Sequence, residues 1–104
     1  MKQILERDKA LEIAQAKELR GDIISTLYTV YPQAVSAATL RSMLRYKGIN
    51  SDADIRKALY YLSGREYVSV DEEEDYWESR LLLLPCGINL AEDDFKDIGV
   101  NINE

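Results

Sequence analysis

The chain has 104 residues, 46% of them hydrophobic and 31% charged, with a formal net charge of −6, one cysteine and no histidine. That length and apolar share are those of one folded domain over 1–104, and no apolar run nears the roughly 18 residues that a membrane-crossing helix needs. The lack of histidine removes the commonest general base and most zinc sites, and the lone Cys86 excludes an internal disulfide.

Residues 3–31 read as helix, with an interruption expected near Gly21. In LRGDIISTLYTVY, Leu19, Ile23, Leu27 and Val30 share one face, flanked by Ile24 and Tyr31. Residues 1–18 form a helical extension with a weaker apolar stripe. A helix this long exceeds what a small core can cover, so the extension is expected either to fray or to pack on a second copy, giving a homodimer. Because MKQILERDKALE mixes acids and bases, no secretory signal is expected there, and a cytoplasmic location fits the single thiol.

Pro32 ends the first helix by removing an amide donor. Ser36 stands where an N-cap belongs, and a helix over 37–47 should bury Leu40, Met43 and Leu44. Gly48 is placed to end it in a left-handed conformation, with Ile49 as a core contact inside the turn. Ser51 then caps a third helix, residues 52–63, whose first turn carries Asp52 and Asp54 at the positive end of the dipole. Ile55, Ala58, Leu59 and Leu62 follow the i, i+3, i+4, i+7 spacing of a buried face, and Gly64 closes the helix.

YVSV alternates as a strand, DEEED turns, and YWESRLLLL returns as a second strand. PCGINLAE opens a short helix with Pro85 in its first turn, and residues 92–104 form an acidic tail with anchors expected at Phe95, Ile98, Val100 and Ile102. The expected fold is mainly α with a small β-hairpin: a winged helix-turn-helix, with a long N-terminal helix and a short C-terminal helix and tail.

With that order in place, the stretches ELRGDIISTLYTVYPQAVS, IRKALYYLSGREYV and LLPCGINLAE resemble the small winged-helix proteins of Mu-like bacteriophages and prophages. More distantly, the chain is similar to bacterial winged-helix transcriptional regulators. The likeness covers about residues 18–102. Such proteins commonly leave the wing through a Thr-Pro-x-Gly turn; here Leu84-Pro85-Cys86-Gly87 stands there, with leucine in place of threonine. The resemblance implies a three-helix winged core and a phage-related origin, and it carries no established activity.

Function has to come from the residues. Residues 1–70 hold 11 Lys/Arg against 8 Asp/Glu, and residues 71–104 hold 2 against 11, so a balance of +3 is followed by one of −9. On helix 52–63 the outer face presents Ala53, Arg56, Lys57 and Tyr60, with Tyr61 at its edge. Arg56 suits a guanine edge and Lys57 a phosphate, the tyrosines suit stacking or backbone contacts, and Arg41, Arg45 and Lys47 on the preceding helix suit flanking phosphates. These residues form a candidate face for double-stranded DNA, with helix 52–63 as recognition helix and helix 37–47 as anchor. The same residue types also clothe any solvated helix face.

Asp71, Glu72, Glu73, Glu74 and Asp75 make a wing tip that phosphates repel, so it should point away from DNA or keep an edge hairpin soluble. The spacing fails as a calcium loop, because the sixth residue from Asp71 is Tyr76 where glycine is needed. Trp77 reads as a cap on the core beneath the hairpin. No phosphate-binding glycine loop, metal set, cofactor motif or catalytic residue is signalled, so no enzyme is expected. An alternative is a protein–protein interaction module that uses the acidic wing, the tail and the exposed tyrosines. A third reading joins the two: the acidic tail folds over the basic face as a DNA mimic.

Overall fold

The computed structural model describes residues 2–45 and 51–102 of the chain. Its elements run α1 (Lys2–Val30), β1 (Val35–Ser36), α2 (Ala37–Arg45), α3 (Asp52–Gly64), β2 (Val68–Asp71), a 3-10 turn (Tyr76–Glu78), β3 (Arg80–Leu83) and α4 (Pro85–Ala91). Among the described residues, four helices and a three-stranded antiparallel sheet of order β1-β3-β2 make the arrangement of a winged helix. Lys47, Gly48 and Ile49, expected as a phosphate anchor, a left-handed stop and a core contact, lie outside the described residues.

The core draws on each of these pieces. Leu19, Ile23, Ile24 and Leu27 enter from α1, Ala37, Leu40 and Leu44 from α2, and Ile55, Ala58, Leu59 and Leu62 from α3. Val68, Leu81 and Leu83 close it from the sheet. Each fully buried Leu or Ile contributes about 1.5–3 kcal/mol by leaving water. The four apolar positions expected on α3 are all inside. On α2, Met43 is only half-buried, and Ala37 joins Leu40 and Leu44 in the core instead.

Capping follows the side chains. Ser36 Oγ accepts from the Thr39 amide at 3.0 Å, and Ser51 Oγ from the Asp54 amide at 3.1 Å, so both serines start their helices. Ser36 also lies in β1, which the sequence reading had not placed: Val35 pairs with Leu81 and Ser36 with Arg80. That two-residue strand is too short to show a period.

Four other expectations need correction. The first helix is unbroken at Gly21. Gly21 is buried there because the tail crosses the helix at that point, where any Cβ would run into the Asn101 carbonyl. The Asn101 amide donates to the Lys17 carbonyl at 3.0 Å across the same contact. Second, the return strand starts at Arg80, not at Tyr76, because the Asp75 side chain accepts from the Trp77 amide at 3.1 Å and curls Tyr76–Glu78 into a 3-10 turn. Third, of the tail anchors only Val100 is buried and Ile102 partly so; Phe95 is exposed and Ile98 is 92% exposed. Fourth, the described part of the tail does not fold over the basic face. It is held against α1 and the end of α3, and no described tail residue lines the groove that carries Arg56 and Lys57.

Candidate nucleic-acid interface

Burying Ile55, Leu59 and Leu62 turns the opposite side of α3 outward, and Ala53, Arg56, Lys57 and Tyr60 are exposed along it. Tyr60 is 84% exposed, which is unusual for so large a ring. Lys57 has no carboxylate within ion-pair distance among the described residues. Tyr61 lies at the edge of this face. It is half-buried against the core, with the Arg20 guanidinium 3.9 Å and the Arg65 guanidinium 5.2 Å from its ring centroid.

Helix α2 supplies the neighbouring cations. Arg45 is exposed in its last turn. Arg41 is half-buried, and its Nη1 donates to Asp52 Oδ2 at 3.1 Å, tying α2 to the first residue of α3. A single partly exposed pair of this kind is worth well under 1–2 kcal/mol, so its main effect is orientation.

The root of the wing meets both helices. Arg41 lies over the Trp77 ring at 4.3 Å, Arg56 lies over the Tyr76 ring at 4.3 Å, and the two rings meet edge to face with centroids 5.5 Å apart. Burial pushes the Tyr76 hydroxyl up; Arg56 opposes this and Glu72 adds to it. Ser79, fully buried, fixes the strand behind these rings: its Oγ accepts from the Glu73 amide at 3.1 Å and its carbonyl accepts from the Ala37 amide at 2.9 Å. Neither Tyr76 nor Trp77 was read as part of a DNA face. The sign in the sequence was their adjacency at the base of the turn; a two-strand reading sends their side chains to opposite faces, which hid it.

Between α3 and the wing runs an open groove of about 730 Å³. Arg20, Arg56, Lys57 and Arg65 line it with Tyr60, Tyr61 and Tyr76, and Glu72 is its one acid among the described residues. Arg20, contributed by α1, was also missed, because its role depends on a tail carbonyl: Nη1 donates to Gly99 O at 3.0 Å. Asp71 to Asp75 are all exposed at the tip, and Asp71 faces Arg80 in the ladder. Cys86 is a free, exposed thiol at the start of α4. Among the described residues no three potential ligands gather to hold a metal ion, and no helix is long and apolar enough to cross a membrane.

No family profile and no curated protein sequence matches the chain. Among solved structures it is similar to an apo double mutant of ZitR from Lactococcus lactis, with a TM-score of 0.57 and 18% identity. The match covers 89% of this chain and 65% of that one, so the chain spans about two thirds of the length of its structural neighbour. At that identity the likeness concerns the fold.

Proposed function

We propose that the chain is a winged-helix DNA-binding protein of phage or prophage type that acts as a transcriptional regulator, with α3 as its recognition helix. The observation that carries this reading is the outer face of α3, where Arg56, Lys57 and Tyr60 stand exposed, with Arg41 of α2 tied to the first residue of that helix. A guanidinium can fork onto a guanine edge and an ammonium can displace counterions from a phosphate. The fold shared with ZitR agrees with this use, and the phage origin rests on the sequence resemblance. The exposed stretch of α1 over residues 8–15 supports a homodimer that offers two copies of α3 to two half-sites.

A labelled random duplex titrated with the protein, followed by fluorescence anisotropy at low and physiological salt, tests the reading. Micromolar binding that weakens steeply with salt is expected, and Arg56→Glu with Lys57→Glu should abolish it. One observation favours a second reading, a protein-interaction module: five consecutive exposed carboxylates at the wing tip. No duplex binding even at low salt, together with a stable protein partner on purification, would select it.

A further inference from the structure

We infer that the wing of this protein is an internal brace, not a probe of the groove: Tyr76 and Trp77 are positioning residues that hold Arg56 and Arg41 ready for nucleic acid. The inference rests on the DNA reading of α3 and adds to it the part played by the hairpin. A wing that enters a minor groove needs cations at its tip, and this tip carries Asp71 to Asp75, all exposed. What the wing offers instead lies at its root. There, Arg41, Trp77, Tyr76 and Arg56 follow one another from α2 to α3, each guanidinium over a ring and the two rings edge to face, with spacings of 4.3, 5.5 and 4.3 Å.

Stacking suits this task because it leaves the donors free. A guanidinium lying over a ring is attracted through its face, while its N–H groups point outward in the plane. Asp52 takes a hydrogen bond from Nη1 of Arg41, and no carboxylate among the described residues pairs with Arg56. An unbraced arginine loses rotamer freedom when it binds, and one already held loses less, so the rings act through the arginines by preorganisation. The rings are themselves held: Asp75 caps the 3-10 turn through the Trp77 amide, and buried Ser79 joins the turn to the start of α2.

The test is a thermodynamic cycle on duplex affinity with Tyr76→Leu, Arg56→Gln and the double variant, with Tyr76→Phe as the conservative control. Tyr76→Leu should weaken binding roughly three- to tenfold, the cost of immobilising about one flexible side chain. In the Arg56→Gln background the same change should have no further effect, and Tyr76→Phe should bind like the wild type. The salt dependence separates positioning from contact. Arg56→Gln lowers the slope by about one if Arg56 meets a phosphate, whereas Tyr76→Leu, which keeps every cation, leaves it unchanged.

A DNA-free readout accompanies the cycle. The Arg56 side-chain N–H resonance should move in Tyr76→Leu as the ring is lost, and stay in place in Tyr76→Phe. Wild-type binding with Tyr76→Leu equally tight, or additive losses in the double variant, would overturn the brace while leaving the DNA reading intact. A wild-type protein that binds no duplex would overturn the DNA reading and the brace with it. An Arg56 resonance indifferent to the ring would show that no stack exists in solution.

Discussion

Asp97 ties three parts of the chain together. Its Oδ2 accepts from the Tyr67 hydroxyl at 2.6 Å, its Oδ1 accepts from the Gly99 amide at 2.7 Å, and Arg65 stands 3.8 Å away. Burial pushes this carboxyl up, but the Tyr67 hydroxyl, the Gly99 amide and then Arg65 and Arg20 outweigh it, and it stays charged below the usual carboxylate range. Tyr67 moves the other way, pushed up to about 12, first by burial and then by its bond to the Asp97 carboxylate. A depressed acid adds stability above its unfolded pKa, near 4, that is lost as pH falls through the lower folded value. A raised phenol adds stability below its unfolded pKa, near 10, that is lost as pH climbs towards about 12. Thermal unfolding across pH should therefore show a plateau that falls off below about pH 4 and above about pH 10. Asp97→Asn should flatten the acid limb and Tyr67→Phe the alkaline one; unchanged limbs would remove this account of the tail. The same tail accounts for Gly21. Gly21→Ala should cost about 1–3 kcal/mol, because the segment at Asn101 has to lift off α1, and limited proteolysis should then clip the tail.

Among the elements, those set by period and caps were legible, and those set by long-range contact were not. The stripe Ile55, Ala58, Leu59, Leu62 and the cap at Ser51 are properties of neighbouring residues, and α3 has them as read. Ser51→Ala should lower stability by about 1 kcal/mol in chemical denaturation, since the Asp54 amide loses its acceptor where helix α3 begins. The close of α3 was less clear. Gly64 is its last residue, yet the left-handed turn falls on Glu66, with φ 63, and the Tyr67 amide returns to the Leu62 carbonyl at 3.0 Å. Strand β1 exists because Leu81 and Arg80 pair with it, and the Tyr76 turn exists because Asp75 caps it. Neither cause is visible in a window of a few residues. The candidate face divided along the same line. Arg56, Lys57 and Tyr60 follow from the wheel of one helix, whereas the setting of Tyr61 also depends on Arg20, brought over its ring from α1, beside Arg65 one turn further on.

At the scale of the whole molecule, α1 is the outlying piece. Its 29 residues span about 43 Å at 1.5 Å each, and the described molecule measures 46 × 33 × 25 Å, so the helix runs nearly its full length. From residue 8 onward, the core residues of α1 begin at Leu19, and before that Leu11 is 57% exposed and Ile13 48%. Isolated helical arms are marginal in water, because most helical stability comes from packing an apolar face. A second α1 laid against the first would supply that packing, and such a dimer would hold two copies of α3, which reading two half-sites about 34 Å apart requires. Leu11→Glu with Ile13→Glu should then shift the protein from dimer to monomer in sedimentation velocity. The circular dichroism of the core should survive, since neither side chain reaches it. Duplex affinity should fall by far more than two added charges produce through screening, because each monomer keeps only one reading helix. A wild-type protein that sediments as a monomer while binding duplex at full affinity would place the exposed arm outside the DNA-binding mechanism.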